Sequence, residues 1–151
     1  MGFQLHNSFT FWVSRLANLM QEKFNQELQV LDVTWPQWMV MNVLAHDLAT
    51  TPAQVAAHIG VDRSAVTRLA DRLEKKGMIA RQFDGLDRRS IQLVLTDSGK
   101  RLIRHLDEAA HKHQQHFLAE LPTTEYRMFK THLQKLLRAG DVETIELWKH
   151  S

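Results

Sequence analysis

The stretch VDRSAVTRLADRLEKKGMIARQFDGLDRR, residues 61–89, constrains this chain more than any other. Asp62-Arg63-Ser64 is a polar helix start. Val66, Leu69, Ala70 and Leu73 recur at helical spacing behind it, and Gly77 closes the helix. Two short β-type runs follow, Met78 to Phe83 and Ser90 to Leu95, around a Gly/Asp turn that ends in Arg88-Arg89. A helix with an exposed polar face, followed by a hairpin with arginines at its tip, suits reading one groove of a DNA duplex while gripping the next.

The charge distribution supports this. From Asp62 to Arg89, eight basic residues (Arg63, Arg68, Arg72, Lys75, Lys76, Arg81, Arg88, Arg89) stand against five acids (Asp62, Asp71, Glu74, Asp84, Asp87). Eight less five is a local +3, in a chain whose formal net charge is +2. A focused basic excess makes the attraction to phosphates directional. With the apolar positions turned inward, Arg63, Ser64, Thr67, Arg68, Arg72 and Lys75 are left for the outer face. Ser64, Thr67 and Arg68 are the candidates for base edges in the major groove, and Arg63 and Arg72 for nearby phosphates.

Upstream, Thr34 reads as an N-cap, with Pro36 in the first turn and Gln37 completing a capping box. The helix it opens, about Trp35 to His46, is apolar nearly all round and is expected to be central. The same signal returns at Thr51-Pro52-Ala53-Gln54 and opens a short helix to His58, closed by Gly60. Asp62 then caps a helix from Arg63 to Lys76. Two short helices joined by a Gly-containing turn form a helix-turn-helix.

Long amphipathic helices flank this lobe. Residues 8–31 carry the stripe Phe9, Trp12, Val13, Leu16, Met20 and Phe24. Thr96-Asp97-Ser98-Gly99 opens a helix predicted to reach Leu121, striped by Leu102, Leu106, Ala109 or Ala110, His113 and Phe117. A last helix, Thr124 to Arg138, turns Phe129, Leu133, Leu136 and Leu137 inward, and Ile145, Leu147 and Trp148 suggest a docked tail. A small winged helix needs neither arm. Such stripes usually bury against a second copy, which sets two recognition helices one duplex turn apart (~34 Å). The expected fold is mainly α with a small β-wing. Residues 34–96 form a winged helix-turn-helix DNA-binding lobe, and 1–33 and 97–151 supply dimerisation helices, all in one continuous domain.

Several classes are excluded. The chain has no cysteine, so a disulfide framework, a thiolate zinc site and a cysteine redox switch are ruled out. No apolar run approaches the ~18–20 residues of a membrane span. MGFQLHNSF lacks the features of a signal peptide, so a soluble, cytoplasmic protein is expected. Gly-rich phosphate loops, a nucleophile elbow and paired catalytic carboxylates are all missing, so no catalytic residue, cofactor or enzymatic activity is expected. Of nine histidines, His105, His111, His113, His116 and His132 crowd the last helices. His113 and His116 share a helix face, but an interface histidine is the commoner explanation for His113, and no metal site is assigned. A pH response near the reference value of ~6.5 stays open. Trp12 and Trp38 are candidates to line a pocket between the first two helices and the DNA-binding lobe, with Arg15 or His46 meeting a ligand carboxylate. Core packing is the commoner role for a tryptophan.

Taken together, Thr34-Trp35-Pro36-Gln37-Trp38, Ala56-Ala57-His58-Ile59-Gly60-Val61, Ser64-Ala65-Val66-Thr67-Arg68-Leu69, Arg72-Leu73-Glu74-Lys75-Lys76-Gly77-Met78-Ile79, Asp87-Arg88-Arg89 and Leu95-Thr96-Asp97-Ser98-Gly99 resemble the MarR family of winged-helix regulators. The Trp-rich second helix is most like its SlyA-type branch. The resemblance implies a homodimer on a pseudo-palindromic operator in double-stranded DNA, commonly a repressor released by a small aromatic or phenolic acid. It also implies that the arginine two positions after the wing aspartate, here Arg89, enters the minor groove, while Arg88 suits a phosphate. Narrow A·T-rich minor grooves attract inserted arginine. Zinc-sensing members carry a Glu-His pair where this chain has Gln37-Trp38. Two alternatives remain: a winged-helix protein without an inducer, acting through protein partners or nucleoid structure (a counter-silencing role), and a metal- or pH-responsive regulator resting on the histidines.

Overall fold

The computed structural model describes residues 2–85 and 87–142, with the backbone alone at 84 and 87–89. The chain divides into two compact units, Met1–His111 and Lys112–Ser151.

In the first unit, a single 3-10 turn (Leu5–Asn7) precedes α1 (Phe9–Gln29). Ser8 caps α1 by accepting the Phe11 amide at 3.1 Å. The helix stops at Gln29, short of the expected residue 31, and Asp32 just beyond takes a left-handed φ of 54°. Its stripe divides. Phe24 and Leu28 enter the core, whereas Phe9, Trp12, Val13, Leu16 and Leu19 are each at least 45% exposed.

α2 (Trp35–Ala45) opens with the expected capping box, both Thr34–Gln37 bonds being formed. It is central as predicted, burying Gln37, Val40, Met41, Val43 and Leu44. α3 (Pro52–Ile59) repeats the box with Thr51 and Gln54, and Gly60, at φ 77°, ends it in the left-handed turn that favours glycine. α4 (Arg63–Lys75) sets Val66, Ala70 and Leu73 fully into the core.

The hairpin pairs β1 (Ile79–Asp84) with β2 (Asp87–Leu95), antiparallel. Ile79 opposes Leu95, Arg81 opposes Leu93 and Phe83 opposes Ile91, with an irregularity between Phe83 and Asp84. The turn is tighter than the sequence suggested. Asp84 pairs with Asp87 across that register shift, so β2 begins at Asp87 and includes Arg88 and Arg89, with residues 88–90 spanning the shift between the Phe83–Ile91 and Asp84–Asp87 pairs.

α5 (Asp97–Leu118) starts on the hairpin itself. The Thr96 hydroxyl donates to the Gly77 carbonyl at 2.6 Å and accepts the Gly99 amide at 3.1 Å. Ile103 and Leu106 are buried, Ile103 being a core position that the predicted stripe omitted. Together with Phe24, Met41, Leu73, Ile79 and Leu93 they belong to one hydrophobic core.

The second unit holds the end of α5 and α6 (Thr123–Ala139). α5 ends at Leu118 rather than Leu121, four residues before Pro122, which opens α6. His113, predicted on the stripe, is buried and meets the Phe117 ring edge-on at 5.0 Å. α6 corrects the sequence reading: Phe129 and Leu136 are exposed, Leu133 and Leu137 are half-buried, and no α6 residue is buried. The expected tail contact of Ile145, Leu147 and Trp148 lies outside the described residues. Among those residues, no helix is long and apolar enough to cross a membrane.

Candidate nucleic-acid interface

The outer face of α4 presents Arg63, Ser64, Thr67, Arg68, Arg72 and Lys75, all exposed. A short polar chain organises its N-terminus. Asp62 accepts the Ala65 amide at 2.7 Å, and the Ser64 hydroxyl donates to the same carboxylate. The Ser64 hydroxyl, and then the Ala65 amide, hold the Asp62 carboxyl below its ordinary value of 3.8. Ser64 Oγ also accepts from Arg68 Nη1 at 3.3 Å. Thr67 Oγ1 donates to the Arg63 carbonyl at 3.1 Å. Both hydroxyls therefore have partners within the chain, and a base contact by either exchanges one hydrogen bond for another. Arg68 keeps most of its five donors for an outside acceptor.

Two cations counted in the basic patch are engaged elsewhere. Arg81 of β1 forks across α4, with Nη2 2.5 Å from Asp71 Oδ1 and Nη1 2.8 Å from Glu74 Oε1. The Asp71 bond, foremost, raises its pKa above an already high value. The fork fastens the wing to α4 and offsets one of the two negative charges of Asp71 and Glu74. Lys76 Nζ donates to the Asp32 carbonyl at 2.5 Å and lies 3.2 Å from the Asp32 carboxylate, tying the end of α4 to the α1–α2 loop. Neither role is visible from charge counting. Asp71 and Arg81 are ten residues apart, and Lys76 and Asp32 forty-four. The basic side chains left on α4 are Arg63, Arg68, Arg72 and Lys75. Arg88 and Arg89 are the second and third residues of β2.

The four proposed ligand residues fall in three separate clusters. Trp12 Nε1 donates to the His6 carbonyl at 2.9 Å, and the Arg15 guanidinium lies 6.0 Å from the Phe11 ring. Trp38 packs edge-on to Phe24 at 5.1 Å and against Trp35 at 5.2 Å, its indole N–H buried without a partner among the described residues. His46 Nε2 stands 3.5 Å from Asp107 Oδ2, and Asn42 Nδ2 donates to Asp107 Oδ1 at 3.0 Å. A cleft of about 530 Å³ lies instead between the end of α2, the end of β2 and the start of α5. Leu44, Ala45, Val94, Leu95 and Ile103 line it, with Asp47, Lys100 and Arg104 as its charged groups. The sequence signal for it was the Lys100–Arg104 pair, one helical turn apart. Among the described residues no cluster of three or more His, Cys, Asp or Glu is placed to hold a metal. His113 and His116 both pack on Phe117, at 5.0 and 5.4 Å.

Helices α2 to α4 followed by a hairpin define a winged helix-turn-helix, the architecture of a class of DNA-binding transcriptional regulators. Comparison with known proteins narrows the class. A model of the MarR family matches residues 31–90. MepR of S. aureus, solved as a DNA complex, superposes with a TM-score of 0.82 at 24% identity over 87% of this chain and 98% of that one. PcaV from Streptomyces coelicolor, in complex with its natural ligand, gives 0.79 at 26% identity over 93% and 99%. CouR from Rhodococcus jostii RHA1, bound to p-coumaroyl-CoA, gives 0.77 at 20% identity over 89% and 95%. The match to the MarR-family model lies over the helix-turn-helix and wing, and the fold is similar to that of these regulators over most of the chain.

Proposed function

We propose that this protein is a cytoplasmic, homodimeric, sequence-specific regulator, a repressor that a small aromatic or phenolic acid releases from its operator, with no catalytic role. The exposed polar face of α4 carries the reading. It comprises Arg63, Ser64, Thr67, Arg68 and Arg72, and it is fastened through Arg81 to the strand pair that holds Arg88 and Arg89. Ser64, Thr67 and Arg68 read bases, Arg63, Arg72 and Arg88 hold phosphates, and Arg89 enters the minor groove. The uncovered stripe of α1 and the exposed Phe129 and Leu136 of α6 favour pairing with a second copy, since monomers rarely leave such surfaces in water. Trp35 and Trp38 in α2 point to the SlyA-type branch.

For the ligand, the cleft beside Lys100 and Arg104 is a better candidate than the dispersed set Trp12, Arg15, Trp38 and His46. It joins apolar walls to two cations within one turn of helix. The test is fluorescence anisotropy of a labelled operator duplex titrated with a panel of hydroxybenzoates. Release from the wild type but not from Arg104→Ala supports the reading. Undiminished binding throughout the panel would leave a DNA-binding protein without this inducer class. Equal affinity for every duplex would favour the nucleoid alternative.

A further inference from the structure

The wing carries an apolar group that none of these roles uses. Among the described residues of the 34–96 lobe, the large apolar side chains left exposed are Leu48, Val61 and Phe83; Phe83 is the aromatic one, at 63%. Strand alternation fixes its direction. Ile79, Arg81 and Phe83 share one face of β1. Ile79 is buried in the core, and Arg81 reaches Asp71 and Glu74 of α4. Phe83 therefore stands on the face turned toward the recognition helix, two residues and roughly 6.6 Å beyond Arg81. Its paired residue Ile91 is half-buried, and the ladder becomes irregular immediately after it.

We propose that Phe83 is a DNA contact, its ring lying on the deoxyribose edge of the phosphodiester strand between the groove occupied by α4 and the groove occupied by the wing. This rests on the reading that α4 and the wing engage one duplex. A benzyl side chain offers no hydrogen bond to phosphate or base, so its gain is burial of apolar surface, and the C–H faces of the sugars supply that surface. It stands on the strand rather than in the turn, so it meets the backbone strand rather than wedging between bases.

The test uses the full-length protein and a duplex that the wild type recovers from a randomised library. Phe83→Ala is expected to weaken binding about ten-fold. The dependence of log affinity on log salt should stay unchanged, because no counterion-releasing charge is lost. Phe83→Leu should keep most of the affinity. Phe83→p-benzoylphenylalanine should crosslink the duplex on irradiation, a readout that a purely structural role does not give. Wild-type affinity in Phe83→Ala, or absence of the crosslink, overturns the proposal while leaving the DNA-binding reading intact. Failure of the wild type itself to bind any duplex overturns both.

Discussion

Arg81 shows how a residue's role is decided by what it can reach. Counted along the sequence it is one more cation for DNA. In the fold it joins Asp71 and Glu74 of the recognition helix. Arg81→Ala is expected to leave two carboxylates unpaired beside the α4 face proposed to meet DNA. Stability should fall by about 1 kcal/mol, and operator affinity by roughly five-fold at low salt. Adding Asp71→Asn and Glu74→Gln should recover much of the affinity but not the rigidity of the wing. Chemical denaturation and anisotropy on the wild type and these two variants check this. Asp62 was legible as a cap because its chemistry is local. Its folded-state pKa is depressed, so its stabilisation is present above the ordinary value of 3.8 and is lost as the pH falls below it. Asp62→Ala should therefore melt lower than the wild type at pH 7. The gap should close as the medium is acidified through that value, as thermal scans across pH would show.

At the scale of elements, the sequence was most readable where a start or stop is enforced within one turn. Both Thr/Gln capping boxes, the Asp62 cap and the Gly60 stop appear where their residues predicted them. Less was readable where pairing between segments decides. β2 begins at Asp87 because Asp87 pairs with Asp84 across a register shift, which no alternation in DRRS announces. The cleft beside Lys100 escaped because three elements build it. Gly99 is a further case. Its turn signal was clear, but the reason glycine is needed is long-range: a Cβ there would lie 2.1 Å from the Met78 carbonyl oxygen. Gly99→Ala should force the start of α5 off the hairpin and cost about 1–3 kcal/mol, read as a lowered denaturation midpoint. In the wing, Arg88→Ala should lower affinity on all sequences and flatten the salt slope by about one unit. Arg89→Ala should weaken operator binding with the fold intact, and normal affinity there would remove Arg89 from the minor groove.

For the whole molecule, the proposed dimer can be tested through the exposed apolar residues of α1, Val13 and Leu16 among them. Sedimentation equilibrium at micromolar concentration should show a dimer, and Val13→Glu with Leu16→Glu should shift it toward monomer. The resulting protein should bind a single half-site more weakly than the dimer binds its full operator. A monomeric wild type would refute the dimer. The most direct test of the account is a binding selection from a randomised duplex library, run in parallel on the wild type, Arg68→Ala and Arg72→Ala. The wild type should recover an inverted repeat with half-site centres about 10 base pairs apart. Arg68→Ala should relax one or two positions in each half-site, since a bidentate arginine–guanine contact carries ~1–3 kcal/mol of discrimination. Arg72→Ala should keep the same motif at lower affinity. A wild-type pool with no enriched motif, or an Arg68→Ala motif identical to the wild type at every position, would contradict the placement of α4 in the groove.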